Sequence, residues 1–109
     1  MSSRAFSSLK ERIEKSAHSQ ERKERLLSLV SSLEAELDEV SRTSSQDARS
    51  IASFAEASMT EATRDTPHQE ALKHSLIALG LSVKRVEAEY PETVKLVNAI
   101  SMMLSNTGI

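Results

Sequence analysis

The sequence predicts an all-α protein, a small antiparallel helical hairpin or bundle of four to five helices forming a single domain over residues 1–109. Three observations carry that reading. Apolar residues recur at steps of three and four along most of the chain, the spacing that lines one face of a helix, and nowhere alternate with the period of two that a strand needs. Glycine and proline number two each, so turns are scarce and long elements are favoured. The 39% hydrophobic content includes only Phe6, Phe54 and Tyr90 as aromatics, which makes the core aliphatic and thin. A domain of this length buries somewhat under about 70% of its unfolded surface, so the margin is small.

The first helix is predicted from about Ser3 to Ala17, with Phe6, Leu9, Ile13 and Ala17 on one narrow stripe and Lys10–Glu14 and Glu11–Lys15 as pairs four apart on the charged side. The polar run from Ser16 to Gln20 breaks it, and Ser19 is placed to cap a second helix over about Gln20–Ser41, with Glu21 in its first turn. Leu26, Val30, Leu33, Leu37 and Val40 form a heptad seam there, widened by Leu27 and Leu29. The seam covers about two and a half heptads, too short for a free coiled coil, which favours a hairpin or bundle.

Residues 41–50 are rich in Ser and Thr and read as a linker, within a Ser/Ala-rich stretch over 41–66 expected to be mobile and only weakly helical. Over 47–64 a helical period returns through Ala48, Ile51, Ala55, Met59 and Ala62, with Phe54 beside it and Ser58 as a polar interruption at its edge. Alanine favours helix but has little surface to bury, so this third helix is expected to contribute least to stability.

Thr66 as cap, Pro67 at the first helical position and Gln69 completing a capping box predict a fourth helix from Pro67 to about Glu89. Its seam is Leu72, Leu76, Leu79, Val83, Val86 and Tyr90; Ile77 and Leu81 give a second apolar edge. Gly80 in mid-helix fits either a close helix crossing or simple tolerance, at a cost of about 1 kcal/mol relative to Ala. Pro91 ends that helix and starts a fifth, with Val94, Val97, Ile100, Ser101 and Leu104 on one stripe, Leu96 and Met103 flanking, and Gly108-Ile109 as a stop.

The run Val86-Glu-Ala-Glu-Tyr90-Pro91, followed by Asn98, Ile100, Leu104 and the closing Gly108-Ile109, resembles the end of a family of short bacterial proteins catalogued as domain of unknown function 4404. The family pattern has an apolar residue and Glu, a His-Pro, a helix containing Asn and Ile, and a closing Gly-Ile. The resemblance is specific over about residues 86–109 and loose over 9–40. Tyr90 stands where a His is usual, Thr93 where an apolar residue is usual, and residues 41–66 look like an insertion. The resemblance implies an all-helical fold and a bacterial origin; the family name carries no activity.

Several chemistries lack the residues they need. There is no cysteine, hence no disulfide, thiol nucleophile or Cys-ligated metal. His18 lies in a connector, and His68 and His74 are six positions apart, so they point to different helix faces. Glu70 and His74 lie four apart, yet zinc takes at least three protein ligands, and the Glu-x-x-His pairs of di-iron bundles are missing. Nineteen serines include none in a nucleophile elbow, and two glycines cannot write a phosphate-cradling loop. The carboxylate pairs Glu34/Asp38 and Glu87/Glu89 sit on ordinary helix faces with no apolar pocket to raise a pKa. The expectation is a non-enzymatic chain with no metal and no cofactor.

Formal net charge is −2, distributed as +3 over residues 1–25, −5 over 26–66 and zero over 67–109. This pattern suits ordinary solvated helix faces, antiparallel packing or self-association. The basic cluster Lys10, Arg12, Lys15, Arg22, Lys23 and Arg25 is interrupted by Glu21 and Glu24 and has no interleaved aromatics for stacking on bases. No run reaches the roughly 18 apolar residues of a membrane span, and Met1–Ile13 lacks the apolar stretch of a signal peptide, so a cytoplasmic location is expected. The seams exceed what so thin a bundle can bury, and Met102-Met103 adds adaptable surface. The expected function is therefore an oligomeric or partner-binding module acting through helix–helix contacts, with Leu72, Leu76, Leu79, Val83, Val86, Val97, Ile100 and Leu104 as the contact face. The partner is another protein or a second copy. The alternative is a nucleic-acid- or ribosome-associated factor using the basic cluster.

Overall fold

A computed structural model describes residues 3–16 and 18–107, which form five helices: α1 (Ser3–Lys15), α2 (Gln20–Thr43), α3 (Ser45–Ala62), α4 (Gln69–Lys84) and α5 (Pro91–Thr107). Among the described residues there is no strand. No helix among them is long and apolar enough to cross a membrane. The chain is an all-α bundle in which α2–α3 and α4–α5 pack as successive hairpins and α1 lies across α2 and α3.

The seams of the first three helices pack as their spacing requires. Phe6, Leu9 and Ile13 of α1 are buried, as are Leu26, Val30, Leu33, Leu37 and Val40 of α2 and Ala48, Ile51, Ala55, Met59 and Ala62 of α3. Ala17 falls outside the described residues. Ser19 caps α2, its Oγ accepting from the Arg22 N–H at 3.3 Å. Lys10 does not pair along its own helix; its Nζ donates to Glu34 Oε1 of α2 at 3.2 Å.

The linker expected over 41–50 shrinks to one residue. Helix α2 runs on to Thr43, α3 begins at Ser45, and Ser44 between them is the cap of both. Its N–H donates to the Val40 carbonyl at 2.8 Å and closes α2, while its carbonyl accepts from the Ala48 N–H at 3.1 Å. Its Oγ accepts from the Asp47 N–H at 3.3 Å and donates to Asp47 Oδ2 at 2.9 Å. The N–H, carbonyl and hydroxyl of Ser44 are therefore all hydrogen-bonded, each to one of the two helices it joins.

Helix α3 is not a peripheral element: it packs on all four of the others, most extensively on α4. Its alanines at positions 48, 55 and 62 keep its neighbours close. Ser58, expected at the edge of the stripe, is fully buried within it and its Oγ donates to the Phe54 carbonyl at 2.9 Å, which removes the cost of burying the hydroxyl.

Two boundaries of α4 differ from expectation. Thr66 is not its cap: His68 is, with Nδ1 accepting from the Ala71 N–H at 3.2 Å, so Pro67 lies outside the helix and Gln69 opens it. The helix stops at Lys84 rather than Glu89. Residues 85–89 tighten into turns in which Val86, Glu87 and Glu89 donate to carbonyls three residues back, and Tyr90 N–H closes on the Val86 carbonyl at 2.8 Å. Pro91 bars helical geometry at Tyr90, and the chain uses these turns to reverse into α5.

In α5 the buried row is Thr93, Val97, Ile100 and Leu104; Val94 and Ser101, expected in it, are half-buried. Thr93 enters the core with its Oγ1 donating to Glu36 Oε1 at 3.3 Å. The expected stop at Gly108-Ile109 lies outside the described residues. Among the described residues, twenty buried apolar side chains make one continuous core. Gly80 marks no close crossing: a Cβ there would meet nothing within 4 Å.

Candidate functional site

Helix α4 packs on α3 and α5 but not on α1 or α2, and so keeps one long side toward solvent. The contact face expected from its seam does not lie on that side. Leu72, Leu79, Val83 and Val86 are buried, as are Val97, Ile100 and Leu104 of α5, all seven inside the chain's own core. The reason is that α4 packs its seam against α3 and α5, which cover all of it but Leu76 and Tyr90. Only Leu76 of the eight is partly open. It borders an apolar groove of about 370 Å³ with Leu72, Ile77 and the stem of Lys73, at the junction of α4 with the end of α5.

What α4 presents outward is the second edge. Ile77 is 53% exposed and Leu81 60%, one turn apart. Glu70 and Lys73 are exposed on the N-terminal side of this apolar pair and Lys84 on the C-terminal side. Glu70 Oε2 lies 3.9 Å from His74 Nε2, an exposed contact. Met102 of α5, 69% exposed, lies apart from the ridge, beside Arg22 and Arg25 of α2.

The basic cluster is largely engaged within the fold. Arg22 Nη2 donates to the Met103 carbonyl near the end of α5 at 3.1 Å, and Lys23 Nζ to the Glu14 carbonyl at the end of α1 at 2.8 Å. Arg12 reaches the end of α3, donating to the Thr60 carbonyl and to Thr63 Oγ1, both at 3.3 Å. Three helix C-termini, each with unpaired carbonyls and a partial negative charge, thus meet cations from α1 and α2 at one end of the bundle. With Lys10 on Glu34, only Lys15 and Arg25 of the six expected nucleic-acid contacts have no partner among the described residues.

The histidines serve separate local roles. His68 caps α4, and His74 is exposed beside Glu70. His18, half-buried between α1 and α2, is held below the ordinary imidazole range, first by desolvation and then by the charges of Arg22 and Lys23. Among the described residues no three His, Asp or Glu side chains gather as a metal would require.

The opposite end of the bundle carries ties that spacing alone does not reveal. Arg85 Nε donates to Asp47 Oδ1 at 2.8 Å, and Tyr90 Oη lies 2.9 Å from Thr43 Oγ1 and donates to the Glu39 carbonyl at 3.4 Å. Ser followed three residues later by Asp at 44–47 is a cap signature that marks the start of α3; the partners of Arg85 and Tyr90 are set by tertiary packing. No family model, curated protein or solved structure matches this chain.

Proposed function

We propose that this chain is a non-enzymatic helical module of the cytoplasm that acts through helix–helix contacts, either on a protein partner or on itself. The observation that carries the reading is the exposed pair Ile77 and Leu81 on the solvent side of α4. Two large aliphatic side chains, each more than half exposed on one ridge of a helix braced from behind by α3 and α5, form a preorganised apolar edge. Covering their exposed halves is worth on the order of 2 kcal/mol, whereas micromolar affinity needs about 8 kcal/mol. The partner must therefore also engage the polar groups at the ends of the ridge. Kinship with the bacterial family that residues 86–109 resemble belongs to the same proposal and adds no activity to it.

The test is affinity purification from the native host, with a salt titration of whatever is retained. A complex held by the α4 ridge persists or tightens as salt rises and is lost in Ile77→Asp. A complex that dissolves at moderate salt and never forms with a folded Lys15→Glu/Arg25→Glu variant, which leaves the ties of Arg22 and Lys23 to the helix ends intact, would mark a phosphate-bearing ligand instead and defeat the proposal.

A further inference from the structure

We infer that a second copy of this chain is the occupant of the α4 ridge: two α4 helices pair antiparallel about a two-fold axis at Ile77, with Glu70 of each copy facing Lys84 of the other. The inference rests on the reading of that ridge as a contact surface and specifies its partner.

Glu70, Ile77 and Lys84 are spaced by seven, and seven residues turn a helix through about 700°, some 20° short of two full turns. The three side chains therefore lie almost on one line, with the two charged groups about 10.5 Å to either side of Ile77. All three are exposed, and the charges at the two ends are opposite. Such a line is complementary to itself when reversed. Turning one copy about Ile77 lays Glu70 on Lys84 twice, the reciprocal pattern that a two-fold interface demands. A crossing angle near 20° keeps a seven-residue line in contact along its length.

Other registers lose this match. A parallel pair sets Glu70 against Glu70 and Lys84 against Lys84. An antiparallel pair centred midway between Ile77 and Leu81 sets His74 against Lys84 and leaves Glu70 opposite Ala88. In the register centred on Ile77, Leu81 meets position 73 of the other copy, where the aliphatic stem of Lys73 covers it while the ammonium stays in water. The groups needed are available: Lys84 has no partner among the described residues, and Glu70 has only the 3.9 Å approach of His74.

Sedimentation equilibrium on the full chain from micromolar to millimolar concentration tests this, with circular dichroism to confirm that each variant is folded. The wild-type chain is expected to dimerise and Ile77→Asp to be monomeric with its helix content intact. Glu70→Lys and Lys84→Glu should each weaken dimerisation several-fold, because two attractive pairs become repulsive together. The double variant Glu70→Lys/Lys84→Glu should recover it, and the two single variants, when mixed, should pair with each other. A wild-type monomer at millimolar concentration overturns the inference. A dimer that survives Ile77→Asp, or whose charge reversal brings no recovery, overturns it too, yet leaves self-association through another face standing. A monomer that retains a host protein in an Ile77-dependent way rules out the second copy and keeps the partner-binding reading.

Discussion

Arg85 Nε lies 2.8 Å from Asp47 Oδ1, which ties the end of α4 to the first turn of α3. The hydrogen bond from Arg85, then that from the Ser44 hydroxyl, and then the charge of Arg85 hold the Asp47 carboxyl below its usual range, while partial desolvation opposes them. The folded chain therefore binds fewer protons here than the unfolded one. The resulting stability is present above the ordinary carboxylate pKa of about 4 and is lost as pH falls through the folded value. Arg85→Ala should be less stable than wild type at neutral pH and lose less on acidification. Urea midpoints measured across the acidic range check this, and parallel curves for the two proteins would show that the tie contributes nothing.

His18 titrates in a different window with the same sign. Desolvation and the neighbouring Arg22 and Lys23 disfavour its charged form, so the folded chain resists protonation that the unfolded chain accepts. Stability is full above the ordinary imidazole pKa of about 6.5 and declines as pH drops below it. In His18→Gln that decline should disappear. Denaturation at neutral and mildly acidic pH, for both proteins, measures the difference.

Gly80 is half-buried within α4 with open space where a side chain would begin. Gly80→Ala should stabilise the fold by about 1 kcal/mol through helix propensity alone. Thermal and urea denaturation of dilute protein would report it, and a destabilised variant would mean that the open space is filled in solution.

Neighbouring positions on α4 should respond very differently. Leu79 is fully buried, so Leu79→Ala should cost about 2–5 kcal/mol, and Leu79→Asp should prevent folding. Ile77→Ala, on the exposed ridge, should stay within about 0.5 kcal/mol when measured on dilute protein. Comparable losses at the two positions would mean that the chain is stable only when associated.

Periodicity was sufficient where one helix had one stripe to bury. The five-residue seam of α2 and the alanine-rich stripe of α3 are both buried in full. It was insufficient where alternatives shared members: Thr93 and Val94 both continue into Val97, Ile100 and Leu104, and the turns over 85–89 decide the phase. Composition misled at 41–50, where serine and threonine suggested a linker although a single serine can cap both helices. On α4 both apolar edges were legible in the sequence. Which edge faces solvent was not, because that depends on α3 and α5 arriving on the same side. The engagement of Arg12 and Arg22 with helix ends was equally hidden, since those carbonyls come from segments far away in the chain.

The one-residue joint at Ser44 also bears on the order in which the chain folds. Helices α2 and α3 come together with almost no loop to close, so their contacts cost little chain entropy and are among the most local in the bundle. This hairpin is the expected nucleus, onto which α1 and the α4–α5 pair would condense. If so, the cap is already formed when the barrier is crossed. Ser44→Ala, expected to cost about 1 kcal/mol at equilibrium, should then slow refolding by most of that amount and leave the unfolding rate nearly unchanged in stopped-flow measurements. Faster unfolding with unchanged refolding would place the joint late in folding instead.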